Sequence, residues 1–332
     1  MKKVYVILVN WNNWIDTVEC LTSLFCSKYS EYKVIVCDNG STDGSFDRIK
    51  DWALGKELEN YTIKTDFNLN CNCIGKPIQF EEYRKAEIET GFLGQNNFQL
   101  VLIKNDANLG FAGGNNIGIK YAITKGDYEY IWLLNNDTVI ETDTLNNLIK
   151  SMQNDPQIGI AGSKLLDYDK PHSLQAFGGT IDRLTARAKL ITDLSSLTKI
   201  DYIVGASFMI SKDCINTIGL LPEEYFLYYE ETDYCFKARY AGFKLAVSLD
   251  SVVYHKEGRA TGVSREPKKK SEYSDLLIIR NRIVFARKYK FPMIFVYFGT
   301  LYSVLLRLMR GQVKRGVKIV LLMVGFRNVL TK

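Results

Sequence analysis

Tyr130-Ile131-Trp132-Leu133-Leu134-Asn135-Asn136-Asp137 is an apolar run that ends abruptly in three polar side chains. A buried parallel strand is continuously apolar, and ligands of open α/β sheets bind beyond the carboxyl ends of such strands. A second apolar run, residues 32–37, ends in the same way at Asp38. The two runs therefore predict a sheet that carries Asp38 and Asp137 at one edge, an arrangement that suits a metal-bound nucleotide.

Apolar runs alternate with helical patterns through the first half of the chain. The strand-like runs cover residues 4–9, 32–37, 99–104 and 128–134, and the helical patterns cover residues 17–27, 46–52 and 115–124. This alternation is typical of an α/β fold with a mostly parallel central sheet and helices on both faces. Residues 53–98 interrupt it with a polar stretch, which we interpret as a surface insertion.

The second half of the chain predicts fewer elements. We expect a strand at residues 201–210, a short helix capped by Ser211, a helix at residues 231–241 and a last short strand at residues 251–254. A helical pattern returns at residues 271–290.

The C-terminal tail combines apolar and basic residues. Residues 291–306 are almost wholly apolar, and residues 319–326 form a second apolar stretch after a basic segment. The first stretch is shorter than the roughly 20 residues that a membrane-spanning helix needs. Amphipathic helices lying on an anionic membrane surface fit this pattern better, and a hydrophobic homodimer interface is the alternative. We expect a cytoplasmic protein bound peripherally to the inner face of the cell membrane.

The composition also limits the function. With 332 residues and 46% hydrophobic content the chain can bury a substantial core, and its net charge of +6 accompanies no nucleic-acid-binding motif. The seven cysteines are scattered, so we predict structural or incidental thiols in a reducing compartment. A zinc site at Cys71 and Cys73 would lack partners, because the chain has only two histidines. The apolar run after Lys2 is interrupted at Asn10, so we expect no secretory signal.

Asp137 is a candidate ligand for Mg²⁺ or Mn²⁺. Hard divalent cations prefer oxygen ligands and usually bridge substrate phosphates. Asn135 and Asn136 are neutral, so the local negative charge is lower than in a site of three aspartates. Asp38 is a candidate acceptor for the N–H of a pyrimidine base in the same crevice, although residues 38–41 also have the composition of a simple turn.

A glycine-rich segment opens the predicted helix at residues 115–124. It reads Asn108-Leu109-Gly110-Phe111-Ala112-Gly113-Gly114-Asn115-Asn116-Ile117-Gly118. Backbone N–H groups at such a helix start can hold a phosphate or a sugar. The segment lacks the G-x-G-x-x-G spacing and follows the third strand instead of the first, which disfavours a dinucleotide-dependent dehydrogenase.

Glu230-Glu231-Thr232-Asp233 places three carboxylates at the start of a predicted helix. Acidic residues favour helix starts, so capping explains at least one of them. Three exceed what capping requires, and one could act as a general base toward a hydroxyl. His255 follows the last predicted strand and is either a structural histidine or a metal ligand.

Five segments in this order resemble the inverting nucleotide-sugar glycosyltransferases of the GT-A fold, glycosyltransferase family two, and especially their bacterial rhamnosyltransferase-like branch. The resemblance covers residues 3–258. It rests on Val-Asn-Trp-Asn-Asn at residues 9–13, Asp-Asn-Gly-Ser-Thr-Asp-Gly-Ser at 38–45, Asn-Leu-Gly-Phe-Ala-Gly-Gly-Asn-Asn at 108–116, Leu-Asn-Asn-Asp-Thr at 134–138 and Tyr-Tyr-Glu-Glu-Thr-Asp at 228–233.

The resemblance implies a role for each candidate residue. Asp137 stands for the metal-binding aspartate of the D-x-D motif, His255 is similar to a late metal-ligating histidine, and Asp38 would contact the nucleotide base. Glu231 lies where the family usually has the aspartate of a Glu-Asp pair, the catalytic base, and Glu230 is the alternative base. Asp233 is a third catalytic candidate. The donor-binding candidates are Asn10, Asp38, Asn108, Gly110, Gly113, Gly114, Asn115 and Asn136.

We predict an inverting transferase that moves a sugar, with rhamnose from dTDP-rhamnose as the first choice, to a hydroxyl of a glycan or lipid-linked saccharide. A UDP-hexose or UDP-galactofuranose donor is the alternative, and a non-catalytic sugar-nucleotide or glycan-binding subunit is a third possibility. A nucleotidyltransferase would need a basic phosphate-binding loop near the first strand, where residues 10–13 are neutral.

The predicted domain organisation has three parts. A catalytic domain spans residues 1–258, with a donor half at about 1–140 and an acceptor half at about 141–258. A flexible basic loop at residues 259–272 leads to a helical membrane-associating region at residues 273–332.

Overall fold

The computed structural model describes residues 2–58, 74–256 and 271–326. The strands are β1 Val4–Asn10, β2 Tyr32–Asp38, β3 Phe80–Arg84, β4 Leu100–Lys104, β5 Tyr130–Leu134, β6 Thr138–Ile140, β7 Ile158–Asp167, β8 Leu174–Ala176, β9 Gly178–Ile181, β10 Ala188–Ile191, β11 Ser207–Ser211 and β12 Lys244–His255. The α-helices are α1 Trp14–Phe25, α2 Ser45–Ala53, α3 Lys85–Thr90, α4 Gly110–Lys125, α5 Thr144–Gln153, α6 Lys212–Ile218, α7 Glu230–Tyr240, α8 Glu272–Lys288, α9 Met293–Met309 and α10 Val313–Met323.

One large sheet organises the fold. In the part of the chain described, its strand order is β3-β4-β2-β1-β5-β11-β7-β12-β6, with β8 paired to β7, and β9 and β10 form a separate hairpin. Strands β3, β4, β2, β1 and β5 are parallel, whereas β11 is antiparallel to both β5 and β7. The predicted α/β fold with a mostly parallel central sheet is confirmed.

The sheet is covered by helices because its central strands are apolar on both faces. Tyr5 and Ile7 of β1 belong to one core cluster, and Val4, Val6 and Leu8 of the same strand belong to a second cluster. All five side chains are fully buried. Successive strand residues point to opposite faces, so a continuously apolar strand indicates burial on both sides.

Several elements differ from the sequence prediction. Residues 53–98 are more than a surface insertion, because they supply the edge strand β3, which pairs with β4. Of the strand predicted at residues 201–210, only residues 207–210 lie in a strand, β11, whereas β12 has twelve residues instead of the predicted four. Helix α4 begins at Gly110, so the predicted glycine-rich loop is the first two turns of that helix.

Helix α8 packs into the main core through Leu276, Ile279, Ile283 and Phe285. Helix α8 is therefore part of the same core as the sheet, although the prediction assigned it to the separate C-terminal region that begins at residue 273. Helices α9 and α10 contribute a few buried residues and expose many large apolar ones. No helix in the described ranges is both long and apolar enough to cross a membrane.

The cysteines depart from the sequence prediction at one position. Cys20, Cys37, Cys214 and Cys235 are free and buried, as predicted for structural thiols. Cys26 is disulfide-bonded, which corrects the prediction that the cysteines are thiols. Cys71 and Cys73 lie outside the described residues, as does most of the predicted basic loop at residues 259–272.

Candidate active site

Asp137 and His255 meet beyond the carboxyl ends of the strands. Asp137 lies in the turn between β5 and β6, and His255 is the last residue of β12. Pairing of β12 with β6 sets Thr138 opposite His255 and brings Asp137 Oδ1 to 3.3 Å from His255 Nε2. Both side chains are buried.

Gln175 of β8 determines how the His255 ring is protonated. His255 Nδ1 lies 2.8 Å from Gln175 Oε1. An amide oxygen only accepts hydrogen bonds, so Nδ1 is the protonated nitrogen and Nε2 presents its lone pair to Asp137 when the ring is neutral. Two electron-rich atoms this close require a cation between them, either a second proton on His255 or a metal ion.

The donor set suits a hard cation that keeps water and substrate oxygens. Within the described residues no group of three or more His, Cys, Asp or Glu side chains could hold a metal ion. Mg²⁺ is usually bound through one or two protein groups together with substrate phosphates. Burial alone would raise the pKa of Asp137, but His255 outweighs it and the pKa lies below its ordinary value. Asp137 is therefore ionised at neutral pH.

A buried charge cluster supports this pair from behind. The backbone N–H of Lys256 donates to the carbonyl oxygen of Asp137 at 3.0 Å. The Lys256 ammonium contacts the carboxylates of Asp16 and Glu19 on α1. Because these three side chains are buried, the cluster fixes the end of β12 against α1.

Asp38 and Asn136 are joined by a buried hydrogen-bond network. Asn10 Nδ2 donates to Asp38 Oδ1 at 2.8 Å, and Asn10 Oδ1 accepts from Thr17 Oγ1 at 2.8 Å. Asn136 Nδ2 donates to Thr17 Oγ1 at 2.8 Å. The backbone N–H of Ser41 donates to Asp38 Oδ2 at 3.1 Å. The structure thus brings Asn10, Asp38 and Asn136 together, with Asp38 fully buried and both of its oxygens engaged.

The glycines of α4 allow close packing. A β-carbon on Gly114 would lie 2.8 Å from the side chain of Val9, and one on Gly113 would lie 2.7 Å from that of Leu109. Gly110 has φ +73° and abuts Phe226, whose carbonyl oxygen accepts from the N–H of Phe111 at 2.7 Å. The first N–H groups of α4 are therefore used within the protein.

Asn39 holds the segment that precedes α4. Its Nδ2 donates to Asn108 Oδ1 and to the carbonyl oxygen of Gly110, each at 3.0 Å. Asn108 Oδ1 also accepts from the N–H of Gly110 at 2.9 Å, and Asn115 Nδ2 donates back to the carbonyl oxygen of Phe111 at 2.9 Å. Sequence reasoning missed Asn39, although its place after Asp38 at the end of β2 is the same signal that identified Asp38.

Glu230 and Glu231 form the first turn of α7, and each has a buried Oε2 without a hydrogen-bond partner. Burial and the neighbouring Glu231 raise the pKa of Glu230 well above its ordinary range. Burial raises the pKa of Glu231 to about 7. Glu231 is the less buried of the two. A carboxylate that titrates near neutral pH suits a general base.

Asp233 has a different environment. Tyr225 donates to its Oδ2 at 2.6 Å, Tyr289 donates to its Oδ1 at 2.8 Å, and Lys288 lies 2.6 Å from Oδ2. These contacts occupy both oxygens and attach α7 to the end of α8. They favour an anchoring role for Asp233 over the predicted catalytic one.

The turn at Gly205 and Ala206 connects the carboxylate pair to the Asp137 side of the site. The N–H of Asn135 donates to the carbonyl oxygen of Ala206 at 3.1 Å. A β-carbon on Gly205 would lie 4.0 Å from Cβ of Glu231 and 3.3 Å from the Phe111 ring. The glycine therefore leaves room beside Glu231 at the edge of the sheet that carries Asn135 to Asp137.

The segment before Glu230 is strained and held by one buried asparagine. Phe226, Tyr228 and Tyr229 all have positive φ, at 64°, 71° and 74°. Asn281 Nδ2, on α8, donates to the carbonyl oxygens of Tyr225, Leu227 and Tyr228 at 2.9, 2.8 and 2.8 Å. Left-handed backbone at non-glycine residues persists only where the surroundings enforce it. Asn281 supplies that constraint beside the two glutamates.

Comparison with known proteins identifies the domain. Residues 81–219 match the family described as glycosyl transferase family 2. The chain contains a glycosyl transferase family 2 domain. It is 29% identical over 140 residues to a low-salt glycan biosynthesis hexosyltransferase of Haloferax volcanii, a match that covers 41% of this chain and 45% of that protein. It is 28% identical over 152 residues to a dTDP-rhamnosyl transferase of Shigella flexneri, covering 46% and 50%.

The matches span half or less of the length of these relatives. Among solved structures, a mannosyltransferase from Pyrobaculum calidifontis in complex with GDP-Man and Mn²⁺ superposes with a TM-score of 0.55 and 15% identity, covering 99% of this chain and 77% of that one. The S. aureus protein TarS 1–349, in complex with UDP-GlcNAc, gives 0.50 and 15%, covering 85% and 66%. These structural similarities, together with the family match, confirm the predicted GT-A fold.

Proposed function

We propose that this family 2 domain belongs to a glycosyltransferase that moves a sugar from a nucleoside-diphosphate donor to a hydroxyl of a glycan or lipid-linked saccharide. The observation that carries the proposal is the contact of Asp137 Oδ1 with His255 Nε2 at 3.3 Å, beyond the carboxyl ends of β5 and β12. A protonated Nδ1 directs the Nε2 lone pair of His255 toward the carboxylate. Asp137 and His255 would thus hold Mg²⁺ or Mn²⁺, and a cation there would supply positive charge to stabilise the departing diphosphate.

Glu231 is the proposed general base. Its pKa of about 7 makes a substantial fraction available in the basic form at neutral pH. It would remove the proton from the acceptor hydroxyl as that oxygen attacks the anomeric carbon from the side opposite the diphosphate. A single displacement of this kind inverts the anomeric configuration. Burial and the neighbouring Glu231 raise the pKa of Glu230 well above its ordinary range, which opposes ionisation of both carboxylates together.

The donor site is proposed at the buried network around Asp38. Asn10, Asn136 and Asp38 lie together. Beside them, Asn108 precedes α4, and the first turns of that helix carry Gly110, Gly113, Gly114 and Asn115. We infer dTDP-rhamnose as the donor, with a UDP-hexose or UDP-galactofuranose as the alternative. One of the two relatives is named a dTDP-rhamnosyl transferase and the other a hexosyltransferase, so the two names support both donor classes. An experiment is needed to choose between them.

The decisive experiment is a donor screen with the purified chain and Mg²⁺ or Mn²⁺, which measures release of the nucleoside diphosphate. We expect release from one donor class, dependent on metal and abolished by Asp137→Asn, which preserves the shape of the buried side chain. The matched control is Asp250→Asn, the same substitution at an exposed aspartate of β12. Metal-independent release, or full activity of Asp137→Asn, would refute the metal assignment. Donor binding without any release or transfer would favour a non-catalytic subunit.

Peripheral membrane attachment is proposed for α9 and α10. One face of α9 exposes Ile294, Phe295, Phe298, Leu301, Tyr302 and Leu305, each at least 45% accessible. Their spacing of three, four and seven residues defines a single helical stripe. Basic residues at Arg310, Lys314 and Lys318 follow that stripe. An apolar face beside cationic side chains suits an anionic lipid surface, with a homodimer as the alternative.

A further inference from the structure

Three arginines converge on the buried face of α9. Arg282, from α8, donates through Nη2 to Thr300 Oγ1 at 2.5 Å. Arg187, just before β10, donates through Nη2 to the carbonyl oxygen of Gly299 at 2.7 Å and to Ser303 Oγ at 3.0 Å. Arg307, on α9 itself, donates through Nη1 to the carbonyl oxygen of Ser303 at 2.9 Å. We call Arg187, Arg282 and Arg307 the arginine cluster.

The positive charge of the arginine cluster is only partly balanced. Arg282 is 5% exposed, its Nε has no hydrogen-bond partner, and in the described part of the chain no carboxylate pairs with it. Burial lowers the pKa of Arg282 to about 10, Tyr229 opposes that effect, and the charges of Arg187 and Arg307 add to it. A buried guanidinium without an anion is costly, because desolvation is not repaid by a partner.

The acidic groups nearby are already engaged. Asp275 makes a two-bond contact with Arg307, at 2.6 and 3.1 Å. Asp182 interacts with Arg187 but accepts hydrogen bonds from the N–H groups of Leu184 and Thr185 in its own turn. Asp275 balances the charge of Arg307, and Asp182 is occupied by hydrogen bonds in its own turn. The three guanidinium groups therefore keep an excess of positive charge.

The arginine cluster lies near the residues that precede the proposed base, and it contacts the helix whose other face is exposed and apolar. Tyr229 directly precedes the two glutamates, and its phenol interacts electrostatically with Glu231 and with Arg282. On the same helix that carries Thr300 and Ser303, Phe298, Leu301 and Leu305 face outward. A ligand that joins a phosphate to a hydrocarbon chain would match this combination of buried cations and an exposed apolar stripe.

We propose that the arginine cluster binds the phosphate or diphosphate group of a membrane-borne, lipid-linked acceptor. Arginine is suited to phosphate because its planar fork makes two parallel hydrogen bonds. With the phosphate held beside Tyr229, which directly precedes the two glutamates, the first sugar of the acceptor would lie on the side of Glu231, and the lipid would pass around α9 to the apolar stripe on its opposite face. This inference rests on the proposed transferase function and names the acceptor class for that site.

Vesicle binding in EDTA tests the site without a contribution from metal-dependent donor binding. Phosphatidylcholine vesicles that contain a polyprenyl diphosphate are compared with vesicles of equal charge that contain phosphatidylglycerol. We expect the wild type to prefer the diphosphate lipid by about tenfold or more, and Arg187→Gln and Arg282→Gln to lose that preference. The matched control is Arg287→Gln, because Arg287 also joins α8 to α9, donating to the Tyr297 hydroxyl at 2.6 Å outside the cluster.

Each outcome decides the inference. Equal preference in the wild type and in both cluster variants would overturn it, as would a loss of preference in Arg287→Gln alone. Inorganic pyrophosphate binding as tightly as the diphosphate lipid would overturn the assignment to a lipid. Arg187 is partly exposed, so its variant remains informative if Arg282→Gln fails to fold. Metal-dependent release of nucleoside diphosphate is measured in parallel, because its absence would refute the proposed function and leave the lipid-binding result interpretable.

Discussion

His255 Nδ1 lies 2.8 Å from Gln175 Oε1, and this contact directs His255 Nε2 toward Asp137. Gln175 is 6% exposed and belongs to β8, a short strand that pairs with β7 of the large sheet. Residues that orient a metal-ligating histidine contribute to affinity without touching the metal. The small strand β8 therefore has a specific consequence for the proposed metal site.

Replacing Gln175 by alanine should weaken metal binding. Without its acceptor, His255 can adopt the other tautomer and place a proton on the nitrogen that faces Asp137. We expect the metal concentration for half-maximal turnover to rise by roughly 10- to 100-fold. Calorimetric titration of Mn²⁺ in the presence of the nucleoside diphosphate should report the same loss. The control is Gln153→Ala at the end of α5, and unchanged metal affinity in Gln175→Ala would contradict the assigned geometry.

Glu231→Gln should lower turnover by about 10²- to 10⁴-fold while donor binding stays nearly the same, because an amide cannot accept the hydroxyl proton. Turnover of the wild type should rise with pH through about 7, as Glu231 ionises. Rates of transfer across a pH series, with donor affinity measured separately, check both statements. If Glu230→Gln is the inactive variant instead, Glu230 is the base.

The same substitution should change the pH dependence of stability. Because burial raises the pKa of Glu231 from 4.5 to about 7, the folded state holds a proton that the unfolded state releases. The stabilisation is therefore complete below pH 4.5 and is lost as the pH rises through about 7. Glu231→Gln lacks this loss, so its melting temperature should exceed that of the wild type by more at pH 8 than at pH 5. A constant difference across that range would show that Glu231 ionises normally.

Asn281→Ala should impair catalysis through the backbone of residues 225–228. The variant leaves three carbonyl oxygens without their donor and releases the strained turn before Glu230. A displacement of about 1 Å at a reacting group can cost about 10²-fold in rate. We expect a lower kcat, a shifted pH–rate profile and an almost unchanged KM for the donor.

The matched control for this prediction is Asn147→Ala on α5. Asn147 Nδ2 donates to a single carbonyl oxygen, that of Asp250, at 2.8 Å. A loss of thermal stability in both variants with an unshifted pH–rate profile would reduce Asn281 to a structural role.

Phe298→Glu with Leu301→Glu should reduce sedimentation with anionic vesicles. Both side chains lie on the exposed stripe of α9, at 61% and 47% accessibility, and a carboxylate there opposes insertion into the lipid surface. Metal-dependent release of nucleoside diphosphate should persist. The control is Phe92→Glu, at an exposed phenylalanine outside the C-terminal helices. Conversion of a dimer to a monomer, with no change in vesicle binding, would instead identify the stripe as a subunit interface.

The first half of the fold could be predicted because its signals are local. The apolar runs that contain Tyr5 and Trp132 are buried strands, and β1 pairs with both β2 and β5, so the edge that carries Asp38 and Asp137 follows from the chain order. The start of α4 was placed too late, because its glycines suggested a loop. They are needed for contact with Val9, which depends on tertiary packing.

The residues that support the site could not be predicted from the sequence. Gln175 lies in a stretch without a motif, and its function depends on β8 folding back on β7. Asn281 resembles any polar residue of a helix, but it meets three carbonyl oxygens of a segment more than 50 positions earlier. The roles of Gln175 and Asn281 depend on partners that are distant in sequence, whereas the periodicity of apolar residues gives information only about neighbouring residues.

Strand β12 also has a consequence for the order in which the protein is made. It carries His255 and brings Lys256 back to Asp16 and Glu19, at the opposite end of the domain's sequence. Synthesis proceeds from the N-terminus, and earlier segments begin to fold while later ones are still being added. The proposed donor side of the crevice can therefore form on the ribosome before His255 has been synthesised. Nascent or C-terminally degraded chains would lack the proposed metal pair, so we expect such chains to release no nucleoside diphosphate.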